Sequence, residues 1–101
     1  MNLTNEKFEI LFFYSTSKYE SVATKLVLRN CLISSIIDKR FVLKEIEFDK
    51  NNELCKKYGI NGVPTTLVIF NNEIRARHLG EFTYKELNVL LAEVIKVNSN
   101  Q

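Results

Sequence analysis

The chain has 101 residues, a formal net charge of +2, and 46% apolar against 26% charged residues. That length suits a single domain, 1–101 with 1–7 and 97–101 as frayed termini. Such a domain buries roughly 60–70% of its unfolded surface and so needs neither disulfide staples nor a structural metal. Two cysteines and one histidine exclude a disulfide framework, a four-ligand zinc site and a His-rich metal cluster, so no metal and no cofactor is expected. The mild positive charge lacks the strongly basic face of a nucleic-acid binder, and no apolar run approaches the roughly 18 residues that cross a membrane. Residues 1–7 (MNLTNEK) lack a basic stretch leading into an apolar one, so no secretory signal is expected. The expected setting is a reducing cytoplasm with both thiols free, in which the sequon Asn2-Leu3-Thr4 has no role.

The first element is Phe8–Tyr14, a near-continuous apolar run that suits a strand buried on both faces. Ser15, Thr16 and Ser17 follow, and Ser17 with Glu20 fits a capping box. Tyr19, Val22, Ala23, Leu26, Val27, Ile33, Ile36 and Ile37 then recur at spacings of three and four. They predict one helix over about 18–37 with a wide buried face. Residues 41–48 alternate Ile46 and Phe48 with Glu45 and Glu47, a strand with one drier face. Asp49 is the expected N-cap of a short helix through Tyr58, which Gly59 ends in a left-handed conformation.

Thr65–Phe70 and Glu73–Leu79 read as strands separated only by Asn71 and Asn72, a two-residue hairpin signal because Asn tolerates positive φ. Gly80 breaks the second strand, and Thr83 with Glu86 makes another capping box. Leu87, Leu90, Leu91, Val94 and Ile95 form the stripe of an amphipathic helix. The expected architecture is β-α-β-α-β-β-α. A parallel right-handed crossover joins the first two strands, and the hairpin completes a four-stranded mixed sheet flanked by helices.

One segment carries a resemblance. Lys57-Tyr58-Gly59-Ile60-Asn61-Gly62-Val63-Pro64-Thr65-Thr66 closely resembles the K-Y-G-I-x-G-[VI]-P-T stretch of thioredoxins. The likeness extends over roughly residues 8–96, without the extra strand and helix that usually open that family and with a hairpin one residue tighter. It implies a trimmed α/β thioredoxin-like fold with a cis peptide bond at Pro64, at the end of a loop beside the active site. It also shows departures. Where the family's W-C-G-P-C would stand, this chain has Ser17-Lys18-Tyr19-Glu20-Ser21. Lys18 replaces the nucleophilic thiol and Ser21 the resolving one. The family's buried aspartate falls at Phe12, and the lysine that pairs with it falls at about Glu45. Disulfide exchange needs a thiolate, and Lys18 supplies none.

The resemblance therefore implies a redox-inactive protein that binds an extended peptide or partner protein through a groove. Tyr19, Gly62, Val63, Pro64, Leu79 and Gly80 would line it, with the small residues allowing close backbone approach. Tyr19 either contacts the partner or packs on the loop. The alternative is an atypical thiol–disulfide oxidoreductase or redox sensor using Cys31 or Cys55. Against it stands the simpler reading of both as small buried hydrophobes, and a catalytic pair would need Cα atoms within about 7 Å. Membership of a larger assembly is compatible with the binding reading. His78, Arg75 and Arg77 read as a charged edge that protects an outer strand. Lys56 and Lys57 read as charges complementing a helix C-terminus.

Overall fold

The structure, a computed structural model, describes residues 7–33 and 41–99. β1 (Phe8–Tyr14) has alternate side chains buried on opposite faces of a sheet, with Phe8, Ile10, Phe12 and Phe13 fully enclosed. α1 (Tyr19–Ile33) crosses to β2 (Phe41–Glu47), which lies parallel to β1 in register Phe8↔Phe41 through Tyr14↔Glu47. The expected continuation of α1 through Ile36 and Ile37 lies outside the described residues. β3 (Thr65–Phe70) runs antiparallel to β1 on its other side, and β4 (Glu73–Leu79) runs antiparallel to β3. The sheet order is β2-β1-β3-β4, so β4 is an outer strand and carries Arg75, Arg77 and His78 as expected. No helix among the described residues is long and apolar enough to cross a membrane.

Each face of the sheet has its own core. α1 and α3 (Tyr84–Ser99) cover one face, where Leu28, Leu87, Leu91 and Val94 pack on Phe8, Ile10, Phe12, Val68 and Phe70. The Phe8 ring stacks on Phe41 at 5.0 Å and on Phe70 at 4.3 Å, tying three adjacent strands together. α2 (Asn52–Tyr58) covers the other face, where Cys55 and Ile60 pack on Leu11, Phe13, Ile46, Leu67 and Ile69.

Local signals hold at most junctions. Gly59 ends α2 at φ 67°, and Asn71 and Asn72 turn the hairpin at φ 54° and 65°. Thr83 and Glu86 cap α3 reciprocally: the Glu86 N–H donates to Thr83 Oγ1 at 3.1 Å, and the Thr83 N–H to Glu86 Oε1 at 2.9 Å.

Several expectations fail. Asp49 is not a cap: residues 48–50 form a turn of 3₁₀ helix, and Asn51 takes the cap position with its amide donating back to the Glu47 carbonyl at 2.8 Å. α1 does not bury a wide face. Ser21, Thr24, Leu28 and Cys31 form its inner row, whereas Tyr19, Val22 and Leu26 stand exposed at helical spacing. The periodicity was right, but a second apolar row lies in solvent. α3 continues through Ser99, past the point where fraying was expected at residue 97.

Replacing Thr83 with alanine removes one half of the α3 cap. Thr83→Ala is expected to lower stability by about 1 kcal/mol, read as a reduced urea midpoint with an unchanged m-value.

Candidate binding site

Strand direction brings distant residues together. β1 ends where β3 begins, because Phe13 pairs with Thr65, and β4 ends beside them, because Thr65 pairs with Leu79. The start of α1, the 59–64 loop and residues 79–80 therefore share one end of the sheet. There the Gly80 N–H donates to the Pro64 carbonyl at 2.8 Å, and the Thr65 hydroxyl donates to the Gly62 carbonyl at 2.6 Å. The Val63–Pro64 peptide bond is cis. Pro64 itself is buried and Val63 half-buried, its side chain packed against the α2-face core. Neither the N–H nor the C=O of Val63 is bonded to another described residue.

At the start of α1 the expected capping box does not form. Ser17 Oγ pairs with Ser15 Oγ at 2.9 Å, and the Lys18 carbonyl receives the first helical N–H groups, from Ser21 and Val22. Ser21 is fully buried, and its hydroxyl accepts the Ser15 N–H at 3.1 Å. Lys18, Tyr19 and Glu20 are exposed. Tyr19 is 78% accessible, so it does not pack on the loop, and Leu79 is 69% accessible.

The glycines play other parts than close approach. A Cβ on Gly62 would meet only the Leu79 side chain, at an ordinary 3.7 Å. Gly80 sits at φ 100° with open space around it, so its backbone conformation, not its size, calls for glycine.

A cavity of about 210 Å³ opens beside this end of the sheet, lined by Gly59, Ile60, Asn61, Gly62, Thr65, Arg77 and Leu79. Of the expected groove residues it gathers Gly62 and Leu79, and not Tyr19, Val63, Pro64 or Gly80. Arg77 reaches it because of a β-bulge. Val68 pairs with Ala76 while Ile69 pairs with Ile74, so Arg75 is an extra residue in β4. A one-residue slip moves every following side chain to the opposite face. The bulge thus turns Arg77 and Leu79 toward the α2 side and His78 toward the other. Arg77 Nη2 donates to the Tyr58 carbonyl at 2.7 Å, while His78 bonds the Glu81 carbonyl through Nε2 and tilts against Phe82. Nothing in the sequence marks Arg77 as a site residue. The chain carries no turn or glycine signal for that bulge.

No protein-family model and no curated protein matches the chain. Solved structures do. Thioredoxin-2 of the malaria parasite, described as a component of the parasite's protein secretion machinery, superposes with a TM-score of 0.78 at 19% identity, over 87% of this chain and 84% of that one. A single-substitution mutant of Halobacterium salinarum thioredoxin gives 0.78 at 19% identity, over 89% and 76%. The germline-specific thioredoxin Deadhead of Drosophila melanogaster gives 0.75 at 22% identity, over 86% and 80%.

The chain has the thioredoxin fold.

Phe12 and Glu45 are direct neighbours across β1 and β2. Phe12 is fully buried, its ring 5.9 Å from that of Tyr14, and Lys25 Nζ lies 3.6 Å above Tyr14. Glu45 turns outward to a bidentate pair with Arg29, with bonds of 2.7 and 2.6 Å. Those hydrogen bonds hold the Glu45 carboxyl below the usual carboxylate range and raise the Arg29 guanidinium. The hydroxyls of Thr24 and Thr66, the latter across from Phe12, are buried without a partner among the described residues.

The cysteines lie on opposite faces of the sheet, Cys31 under α1 and α3 and Cys55 under α2. Cys31 Sγ donates to Asn88 Oδ1 at 3.3 Å and Cys55 Sγ to the Phe48 carbonyl at 3.8 Å. Burial pushes both thiols up, and Asp49 adds to the shift at Cys55. No group of metal-ligating side chains exists among the described residues.

Glu45 has a lowered folded-state pKa, so the Arg29 pair stabilises above the ordinary carboxylate value of about 4.3 and is lost as pH falls through the lowered one. Glu45→Gln is therefore expected to lower Tm slightly at neutral pH, the pair being solvent-facing. The gap from the parent protein should close in melts at progressively more acid pH. With both thiols raised and buried, Ellman's reagent at neutral pH should react far more slowly with the folded chain than with glutathione, and with both cysteines at once in denaturant.

Proposed function

We propose that this protein is a redox-inactive thioredoxin-fold module that binds an extended segment of a partner protein. The carrying observation is the unpaired backbone of Val63, at the end of the sheet that also carries exposed Tyr19 and exposed Leu79. An N–H and a C=O on one extended residue are what a peptide needs to add itself as a short strand. Backbone hydrogen bonds then supply affinity and flanking side chains supply selectivity. Tyr19 offers a large rigid contact surface with little rotamer entropy to lose.

The thiol-transfer reading has little support. Lys18 and Ser21 occupy the positions where the resemblance puts thiols, and Ser21 is committed to holding the Ser15 N–H. The two cysteines are separated by the sheet, so they cannot act as a pair, and burial disfavours the thiolate of each. Free thiols agree with a reducing compartment such as the cytoplasm.

The test has two arms. With dithiothreitol and insulin, the protein is expected to reduce no faster than its Cys31→Ser/Cys55→Ser variant; turnover above that control sinks the redox-inactive half of the proposal. In a peptide-array screen, Tyr19→Ala and Leu79→Ala are each expected to weaken the bound peptides by roughly five- to tenfold, with circular dichroism unchanged. Binding indifferent to both substitutions would remove the groove.

A further inference from the structure

The cavity beside Leu79 continues into a second one. That one measures about 440 Å³ and is lined by Phe48, Asn52, Cys55, Lys56, Gly59, Ile60 and Asn61. The two adjoin at Gly59, Ile60 and Asn61 and make a cleft beside α2, and Gly62, next to Val63 in the chain, lines the first of them. Its lining has one charge in each half, Arg77 and Lys56, and both are positive; no carboxylate lines either half. Asn52 and Asn61 add amide groups that donate hydrogen bonds.

Neither cation is neutralised by the protein. No described carboxylate pairs with Arg77 or Lys56, whereas Arg29, Lys44, Lys50 and Arg75 all have acidic partners. Arg77 uses one donor on the Tyr58 carbonyl, which fixes the guanidinium and leaves most of its fork of five N–H groups available. Asp49, near enough to Cys55 to act on its thiol, and Glu53, in the first turn of α2, are acids on this side, and neither lines the cleft.

We infer that the cleft selects acidic sequence: the extended segment bound at Val63 carries Asp or Glu side chains next to the paired residue, and these enter the cleft toward Arg77 and Lys56. The inference rests on the peptide-binding reading above and names its partner class. Charge complementarity carries it. An unpaired, partly immobilised guanidinium matches a carboxylate bidentately. A lysine or arginine at the same peptide position would face two like charges with no acid between them.

Three pools of fluorescein-labelled nonapeptides test this, each with a randomised apolar centre flanked by Asp, Asn or Lys, titrated by anisotropy. The Asp pool is expected to bind roughly tenfold more tightly than the Asn pool and the Lys pool more weakly still. The preference should shrink in about 0.5 M salt, where screening reaches within a few ångströms. Arg77→Gln/Lys56→Gln should bring the Asp pool down to the level of the Asn pool with circular dichroism unchanged, which separates loss of charge recognition from loss of fold. Equal binding of the three pools, or a preference surviving in the double variant, overturns the inference and leaves the groove standing. Failure of every pool to bind the parent protein overturns both.

Discussion

The fold depends on burying β1 from both sides. Its alternate residues project into two separate cores, and both of its edges are paired, a central position it shares with β3. That requirement assigns the helices. Covering the Phe8, Ile10 and Phe12 face takes α1 and α3; covering the Leu11 and Phe13 face takes α2 with the loop after it. The candidate site is a by-product of this arrangement. A parallel neighbour on one edge and an antiparallel one on the other bring the end of β1 beside the start of β3. The loops that leave and enter there have no further strand to pair with, which is how the Val63 backbone comes to lie open.

The same end of the sheet is unusually polar for a buried region. Ser15, Ser21, Thr24, Thr65 and Thr66 are all enclosed. Ser21 and Thr65 use their hydroxyls to fasten loops, to the Ser15 N–H and the Gly62 carbonyl. Thr24 and Thr66 bond to nothing described, and each unsatisfied hydroxyl costs on the order of 1–3 kcal/mol. Where the resemblance would put an acid and a thiol, Phe12 is packed in the core and Ser21 fastens a loop.

Much of this was legible in the residues. The two-faced strand, the Asn71-Asn72 turn, Gly59 and the Thr83/Glu86 cap follow from periodicity and local chemistry, because each is decided by neighbours in sequence. Other features depend on which of several competing partners a residue meets. Tyr19, Val22 and Leu26 have the spacing of a core row, and only the direction in which α1 sits decides that Ser21, Thr24 and Leu28 go in instead. Ser17 had the chemistry of a cap but found Ser15 closer. The bulge at Arg75 leaves no mark in composition, yet it decides that Arg77 rather than His78 faces the cleft.

The register of β1 also bears on how the chain comes off the ribosome. Of the four strands β1 is made first, yet Phe8 must wait for Phe41 and then for Phe70 before its edges and ring faces are covered. At about 5–20 residues per second that interval lasts seconds. Throughout it FEILFFY, with one charge in seven positions and no proline, has the composition of a segment prone to cross-β pairing between chains. A strand that organises the finished molecule is thus an aggregation-prone stretch while it is being built.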